Sequence, residues 1–250
     1  MNSTAGRNIW IFGGSSAIAQ AYARLAAERG AKLLLVGRNN DHLQANAADL
    51  VARGGKVAVE VLDLAGQADR DAVLGGFIER HGFPDEVQIA YGILGEQERA
   101  LSDLALAADI INVNFVSVAL WLLAIRARRD PARPLTLIVI GSVAGDRGRA
   151  SNFIYGSAKG GLDRFLEGLQ HTYAGTSLHI VRVKPGFVDT PMTAAIKKGG
   201  PLWAKPERVA VDIQKAVDRH AAVVYTPWFW RPIMLIIRLL PRFLFDRLKI

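Results

Sequence analysis

The chain has 250 residues, half of them hydrophobic and 22% charged, which predicts one large α/β domain with a sizeable core. It contains no cysteine and its five histidines are scattered, which excludes disulfides and thiolate nucleophiles and leaves no expected metal site. The net charge is +8, but the basic residues lack the aromatic interleaving of nucleic-acid modules, so we expect no nucleic-acid partner. No uninterrupted apolar run of about 18 residues and no signal-peptide pattern is seen, so we expect a cytoplasmic location.

Short apolar runs alternate with longer segments of helical period along the chain. The runs predict strands at 8–12, 32–36, 56–62, 86–91, 135–141, 178–183 and 222–226. The segments between them predict helices at 17–29, 41–53, 67–81, 97–129, 153–173 and 206–219. This alternation is typical of a single-domain, Rossmann-type, doubly wound α/β fold, with about seven parallel strands and helices on both faces.

The turn after the first strand, FGGSS, has the pattern of a phosphate-binding loop. A glycine turn between a strand and a helix presents backbone N–H groups and the positive end of the helix to a pyrophosphate. The residues that we expect to bind the cofactor here are Gly13, Ser15, Ser16 and Ile18.

The ends of the second and third strands indicate which dinucleotide is bound. An NAD site uses an acidic side chain after the second strand for the ribose 2′-hydroxyl, whereas a 2′-phosphate needs positive charge. The second strand here ends in VGRNN, which offers Arg38 and no carboxylate before Asp41, so NADP(H) is the predicted cofactor. After the third strand, Asp63 is expected to accept the adenine amino group, with Leu64 beside it.

Tyr155 and Lys159 are four residues apart in a predicted helix and therefore share one face. A neighbouring positive charge lowers the pKa of a tyrosine and makes the phenol usable as an acid or base. Taken alone, a pair with this spacing is more often ordinary helix surface than a catalytic pair.

Five motifs in order make the chain resemble the classical short-chain dehydrogenases/reductases. They are the glycine turn, INVNF before the fifth strand, IGSVAG at its end, YGSAK in the next helix and VKPGFVDTPM after the sixth strand. The spacing from Ser142 to Tyr155 and from Tyr155 to Lys159 also matches the family. The resemblance extends over nearly the whole chain and implies a catalytic, NADP-binding domain over 1–227, with 228–250 as a C-terminal tail of the same domain.

The resemblance implies four catalytic residues. Tyr155 would protonate the carbonyl oxygen as hydride arrives, and Lys159 would lower the pKa of Tyr155 and hold the nicotinamide ribose. Ser142 would hydrogen-bond the substrate oxygen. Asn114 would hold a relay water behind Lys159.

The resemblance also implies further cofactor contacts. Gly92 would line the floor of the site, and Pro185 and Gly186 form the family's Pro-Gly motif. Val188 would contact the nicotinamide ring through its backbone, and Thr190 would bind the carboxamide.

Three positions depart from the family pattern. Ala17 and Ala19 replace two glycines of the turn, and Ala17 lies where the pyrophosphate approaches. Tyr91 stands in the segment after the fourth strand where the family has Asn-Asn-Ala-Gly. Both a packing role at the end of the sheet and a role in substrate binding are open for Tyr91.

A narrower resemblance connects AYGILGE, ASNFIYGSAKGGLDRF and the ending TPWFWRPIMLIIRLLPRFLFDRLKI with the decaprenylphosphoryl-2-keto-erythropentose reductases. It implies a substrate in which a keto-pentose is attached to a polyprenyl phosphate, in an epimerisation pathway of cell-envelope glycan synthesis. A flavin-dependent oxidase would be the partner enzyme that makes the ketone.

The tail, residues 228–250, combines apolar residues, tryptophans and arginines, with Pro232 and Pro241 expected to divide it into two short helical pieces. One interpretation is a segment that lies on the inner face of the membrane. The other is a subunit interface in a homodimer or homotetramer, and the two can coexist.

The leading hypothesis is therefore an NADPH-dependent ketoreductase acting on a lipid-linked keto-sugar. The first alternative is a reductase of a soluble ketone or 3-oxoacyl compound. The second is a non-catalytic NADP-binding regulator, which the presence of all four catalytic residue types disfavours.

Overall fold

A computed structural model describes residues 6–248, so residues 1–5 of the predicted catalytic domain and 249–250 of the tail lie outside the described part. The strands are β1 (Asn8–Phe12), β2 (Lys32–Gly37), β3 (Lys56–Val61), β4 (Glu86–Ile89), β5 (Leu135–Ile140), β6 (Leu178–Pro185), β7 (Phe187–Val188), β8 (Trp203–Ala204) and β9 (Val223–Thr226). The helices are α1 (Ala17–Ala27), α2 (Asn40–Ala52), α3 (Arg70–His81), α4 (Gln97–Ser102), α5 (Leu104–Ile111), α6 (Ser117–Arg128), α7 (Phe153–Thr172), α8 (Pro206–Asp218), α9 (Trp230–Leu239) and α10 (Arg242–Phe245).

Seven parallel strands form one sheet, as predicted. Their order across the sheet is β3-β2-β1-β4-β5-β6-β9. The chain turns outward in opposite directions from β1 and β4, which are neighbours. In such sheets, ligands bind in the crevice outside the carboxyl ends of the strands at this point. The two-residue strands β7 and β8, which the sequence did not predict, pair with each other in a separate small sheet.

Alternate residues of β1 show how the core is divided between the two faces of the sheet. Ile9 and Ile11 pack on the side of α1 and α8, whereas Trp10 and Phe12 pack on the side of α3, α6 and α7. Because helices cover both faces, β1 and β2 are nearly continuous buried apolar runs rather than alternating ones.

The predicted helix over 97–129 is wrong as a single element, because it is interrupted at Asp103. Asp103 is in an extended conformation, and its Oδ1 accepts a hydrogen bond from Leu106 N (3.0 Å), which ends α4 and caps α5. Residues 112–116 then form a π-helical turn before α6. Leu104–Arg128 is long and apolar enough to cross a membrane by length and composition, yet half of its most apolar window is buried in the protein, as in a core helix.

The tail folds back onto the rest of the chain through α9. The inner face of α9 buries Trp230 and Met234 against Val143, with Phe187 and Tyr225 packed around them. Pro241 separates α9 from α10 as expected, whereas Pro232 is accommodated in the first turn of α9.

Arg147, in the loop after β5, binds the carboxyl end of α9. Its guanidinium donates hydrogen bonds to the carbonyl oxygens of Ile237 and Leu240, the latter at 2.8 Å. It also lies over the ring of Phe245, 3.7 Å from the centroid. These bonds satisfy carbonyl groups that have no partner at the end of a helix, so the tail is held beside the loop that carries Ser142.

Candidate active site

A cleft of about 360 Å³ lies at the carboxyl ends of the strands. Except for Asn114, every predicted site residue lines it. These residues are Gly13, Ser15, Ser16, Ile18, Arg38, Asp63, Leu64, Gly92, Ser142, Tyr155, Lys159, Pro185, Gly186, Val188 and Thr190. The sheet brings them together because they follow the ends of β1 to β6 or lie at the start of α1 and α7.

The glycine turn after β1 is held tightly against its neighbours. Gly13 has φ +94°, which favours glycine, and its N–H donates to Val36 O (2.8 Å). A side chain there would place Cβ 2.6 Å from the backbone N of Tyr91. The turn therefore requires glycine at this position for both conformation and space.

The amino end of α1 points backbone donors at the cleft. The first helical hydrogen bond runs from Gln20 N to Ser16 O (2.8 Å), so the N–H groups of 17–19 precede it and have no acceptor within the helix. Ala17 lines the cleft, so its methyl group stands where the family has glycine. Ala19 is fully buried in the core, where its methyl group contributes to packing.

The far end of the cleft carries Arg38 and Asp63. Arg38 is exposed after β2 and makes no ion pair with any residue between 6 and 248. The neighbouring Asn39 caps α2, because its Oδ1 accepts from His42 N (2.9 Å). Asp63 accepts from Ala65 N (3.1 Å), so one of its oxygens already orders this loop.

Tyr155, Lys159 and Ser142 meet where β5 ends beside the first turns of α7. Lys159 Nζ lies 5.8 Å from the centroid of the Tyr155 ring and donates to Ile140 O (3.0 Å), the last residue of β5. Ser142 follows in an extended conformation, and its Oγ accepts from Ala144 N (3.1 Å). The helix and strand end thus bring a phenol, an ammonium and a hydroxyl to one face of the cleft.

Burial is the main cause of the pKa shifts of Tyr155 and Lys159. It raises the pKa of Tyr155 to about 12, and a hydrogen bond with Ser142 opposes the rise. Burial also lowers the pKa of Lys159 to about 8. The pKa of Tyr155 is therefore raised and not lowered as expected, because burial disfavours the charged phenolate.

Asn114 lies behind the cleft rather than on its surface. It is buried in the π-helical turn, and its Nδ2 donates to Ile93 O (2.7 Å) and Ile110 O (2.8 Å). A Cβ built on Gly92 would be 2.6 Å from Asn114 Oδ1 and 3.6 Å from Lys159 Nζ. The amide is therefore close to the lysine across Gly92, and it fixes the segment after β4.

Tyr91 has a role in packing. Its hydroxyl is 3.0 Å from Ser117 Oγ, and burial raises its pKa further above the ordinary value. The residue also lines the cleft. Since the hydroxyl is already hydrogen-bonded to α6, the contact favours the interpretation of Tyr91 as a packing residue at the end of the sheet.

Several cleft residues were not named individually from the sequence, although the segments after Gly141 and Thr190 were expected to line the substrate pocket. They are Phe187, Met192, Thr193, Ile196, Arg149, Asn152 and Trp230. Thr193 has a recognisable signal, because the spacing Thr-x-x-Thr allows its Oγ1 to accept from Thr190 N (3.2 Å) and hold that residue. Trp230 has none, since a sequence does not show which face of the tail returns to the cleft.

Solved structures share this fold at low sequence identity. A short-chain dehydrogenase/reductase from Burkholderia phymatum in complex with NAD has a TM-score of 0.82 and 20% identity, with 94% of each chain covered. A variant of actinorhodin polyketide ketoreductase with NADPH has a TM-score of 0.75 and 19% identity, covering 90% of this chain and 97% of that one. Identity this low supports the fold alone.

Sequence relatives cover most of the chain. An uncharacterized oxidoreductase of Mycobacterium tuberculosis is 37% identical over 249 residues, 99% of both chains. An uncharacterized oxidoreductase of Streptomyces coelicolor is 35% identical, covering 98% of this chain and 96% of its own. The 3-oxoacyl-[acyl-carrier-protein] reductase of Bos taurus is 28% identical over 197 residues, 77% of this chain and 82% of its own.

The family model for short chain dehydrogenases matches residues 7–200, which include the glycine turn, Ser142, Tyr155 and Lys159. With the matching fold, this result makes the protein an oxidoreductase of the short-chain dehydrogenase/reductase family.

Proposed function

We propose that the protein is an NADPH-dependent reductase that converts a ketone into an alcohol. The observation that carries this proposal is the meeting of Tyr155, Ser142 and Lys159 in the cleft that the amino end of α1 also reaches. Nicotinamide, when bound, supplies the hydride. The protein supplies the proton, the oxygen contact and the positions of both reactants.

The protonation state of the Tyr155 phenol supports reduction of a ketone. With a pKa of about 12, the phenol keeps its proton at neutral pH, as a general acid must. Ser142, whose side chain opposes the rise in the Tyr155 pKa, would share the substrate oxygen and stabilise the charge that develops there. Lys159 uses one donor on Ile140 O, which leaves donors for the nicotinamide ribose.

Arg38 supports NADP(H) over NAD(H). An exposed guanidinium at the end of β2 suits a 2′-phosphate, and it has no carboxylate partner between residues 6 and 248 to displace. Asn39, the next residue, is occupied as the cap of α2 and gives no acidic contact for a ribose hydroxyl.

The tail supports a lipid-linked substrate, for which a polyprenyl-phosphate-linked keto-pentose is the proposed example. Helix α9 lines the cleft through Trp230, while Ile236 and Leu239 on its other side are 63% and 73% exposed. Arg231 and Arg238 are also exposed on this helix. A helix with this arrangement can rest on an anionic bilayer while a substrate passes from the lipid into the cleft.

Two partners belong to this proposal. A flavin-dependent oxidase would supply the ketone by oxidising the alcohol of the same lipid-linked sugar, so that the pair of enzymes inverts one carbon. A second copy of the chain would cover the apolar side of α5 and α6, where Leu104 is 80% exposed and Leu120 and Leu123 are each 43% exposed. The protein is thus proposed to be a homo-oligomer that contacts the inner face of the membrane.

A soluble 3-oxoacyl substrate is the second candidate. It is favoured by the Bos taurus relative, whose 3-oxoacyl-[acyl-carrier-protein] reductase covers 77% of this chain. The cleft itself is lined largely by apolar side chains beside Ser142, such as Val143, Met192 and Ile196, which an acyl chain would also contact.

The deciding experiment is a fluorescence titration with NADPH and NADH, followed by NADPH oxidation with two substrates. These are a polyprenyl-phosphoryl keto-pentose in detergent micelles and a 3-oxoacyl thioester. We expect selective binding of NADPH and faster turnover of the lipid-linked ketone. Turnover of the thioester alone would establish the second candidate, and binding without any turnover would indicate a non-catalytic NADP-binding regulator.

A further inference from the structure

One side of the cleft contains three buried polar atoms without a hydrogen-bond partner in the described part of the chain. They are Nε of Arg149, Oδ1 of Asn152 and Nε1 of Trp230. A buried polar group without a partner is costly, and most such groups in proteins are paired. Other buried polar atoms without a partner lie elsewhere in the described part, but these three line a cleft where a bound molecule can supply the missing partners.

Arg149 provides the positive charge of this group. It is partly buried, and burial lowers the pKa of its guanidinium, although the charge persists because arginine does not deprotonate in proteins. The acid that attracts it is Asp146, but both carboxylate oxygens of Asp146 are engaged. They accept from Lys184 Nζ (2.5 Å) and from the Tyr225 hydroxyl (2.8 Å). Arg149 thus has no anionic partner among residues 6–248, and its Nε is buried without an acceptor there.

Asn152 directly precedes α7, where an asparagine usually caps the helix. Here its side chain makes no cap hydrogen bond, and its Oδ1 is left buried and unpaired. Its backbone is nevertheless fixed, since Asn152 N donates to Arg149 O (3.2 Å) and Gly156 N donates to Asn152 O (2.8 Å). An acceptor held this firmly suits a hydroxyl group of a substrate.

The side chain of Trp230 is buried, with only 4% of its surface exposed. Its indole N–H donor has no acceptor among the described residues. The ring is fixed by the edge-to-face contact with Phe187, whose centroid is 5.5 Å away. The donor therefore sits on a rigid ring contributed by the tail.

The position of these residues connects them to the substrate rather than to the dinucleotide phosphates. Arg149 and Asn152 lie in the segment that joins Ser142 to Tyr155, the two residues that would contact the carbonyl oxygen. Arg38 follows β2, and β1 and β4 separate β2 from β5 in the sheet. The cleft thus has two arginines, one on each side of the central strands β1 and β4.

We propose that the substrate is a ketone that carries a negatively charged group, a phosphate or a carboxylate, and that Arg149 binds this group. Trp230 and Asn152 would bond to neighbouring polar atoms of the same substrate. This inference rests on the proposed reductase function, since it names the substrate class of the same cleft. The charge is what Arg149 recognises, whether it belongs to a lipid-linked phosphate or to a free metabolite.

The test uses pairs of ketones that differ only in the anionic group. Dihydroxyacetone phosphate is compared with dihydroxyacetone, and acetoacetate with its neutral ethyl ester. We expect kcat/KM to favour the anionic member of at least one pair in the wild type. In Arg149→Met, this preference should fall by about tenfold to a hundredfold through KM, as for a lost hydrogen bond to a charged group.

Two further variants make this result specific. Arg149→Lys keeps the charge but not the planar fork, so its loss should be smaller. Arg219→Met removes an exposed positive charge at the end of α8, away from the cleft lining, and should leave the preference unchanged. Turnover of the polyprenyl-phosphoryl keto-pentose alone, with the same dependence on Arg149, would identify the anion as a lipid-linked phosphate.

A binding measurement separates failure of this inference from failure of the proposed function. Glycerol 3-phosphate is titrated by calorimetry into the wild type and Arg149→Met, each saturated with NADP⁺. Binding that depends on Arg149 in a protein without reductase activity would retain the anion site and overturn the function. Reduction in which neutral and anionic ketones respond equally to Arg149→Met would retain the function and overturn the inference.

Discussion

The indole of Trp230 lies directly against the backbone of Gly186, so closely that a Cβ on the glycine would be 1.9 Å from Trp230 Nε1. Gly186 belongs to the Pro-Gly motif after β6, and Trp230 is the first residue of α9. The contact makes the tail a part of the cleft rather than an appended segment, because both residues line it.

The first prediction is that Gly186→Ala displaces Trp230. The added methyl group cannot be accommodated at 1.9 Å, so the indole and α9 must move. We expect a loss of about 1–3 kcal/mol in the free energy of unfolding, typical of overpacking, and a rise in the KM for the ketone. Urea unfolding and steady-state kinetics measure the two effects.

A double variant checks the cause. Gly186→Ala combined with Trp230→Ala should be less destabilised than the sum of the single variants, because the clash is gone. Gly168→Ala is the matched control, since no atom of the part of the chain that the structure describes lies within 4 Å of its added Cβ. Strict additivity of the two changes would show that the contact does not couple the tail to the cleft.

The second prediction concerns pH and Lys159. Burial lowers the folded-state pKa to about 8 from the ordinary 10.5, so between these values the unfolded chain binds the extra proton. The free energy of unfolding should therefore rise with pH in this window, by about 2 kcal/mol from pH 8 to 9.5 relative to Lys159→Met. Tyr155 makes the free energy of unfolding fall with pH, but only above about pH 10, because burial raises its folded-state pKa from 10.0 to about 12.

Denaturant unfolding of the cofactor-free protein at the two pH values measures this difference. Lys215→Met, which removes an exposed lysine on α8, is the control and should follow the wild type. A pH dependence of Lys159→Met equal to that of the wild type would mean that the ammonium is not desolvated as the geometry indicates.

Local patterns in the sequence were sufficient for the seven-stranded sheet and for the phosphate end of the cleft, whereas Ser142, Val188 and Thr190 were predicted only through the family resemblance. The glycine turn, Arg38 and the Tyr155–Lys159 pair are set by strand ends and helical spacing, which are short-range properties. The break at Asp103 could have been seen from its capping role, but apolar periodicity on both sides concealed it.

Other parts of the site depend on contacts between distant segments. Trp230 meets Gly186 only because α9 turns back over the loop after β5, where Arg147 holds it. The role of Arg149 could be inferred only from the structure, which shows that it has no free carboxylate partner among residues 6–248. Asp146, the acid that attracts it, is engaged by Lys184. The rise in the pKa of Tyr155 likewise depends on burial, which spacing does not reveal.

The third prediction is that Arg38 selects the cofactor. Arg38→Ala should weaken NADPH binding by about tenfold to a hundredfold through the lost charged contact, with little effect on NADH. Fluorescence titration with both nucleotides measures the selectivity. Arg99→Ala, which removes an exposed arginine paired with Asp103 on the surface, should leave it unchanged. An equal loss for NADPH and NADH would contradict contact with the 2′-phosphate.

The fourth prediction is that the tail binds anionic lipid. Flotation with vesicles containing phosphatidylglycerol should recover the wild type at low salt and less of it at high salt, because part of the attraction is electrostatic. Ile236→Glu combined with Leu239→Glu places charges on the exposed apolar side of α9 and should abolish recovery while NADPH binding persists.

Leu104→Glu is the control for a general loss of exposed apolar surface. Leu104 is 80% exposed on α5, at the surface proposed to meet a second copy of the chain. This variant should change the mass measured by light scattering and keep vesicle binding, because the tail is untouched. If instead the tail variant dissociates the oligomer and the wild type fails to float at any salt concentration, the apolar side of α9 is a subunit interface. The lipid-linked substrate would then lose its structural support.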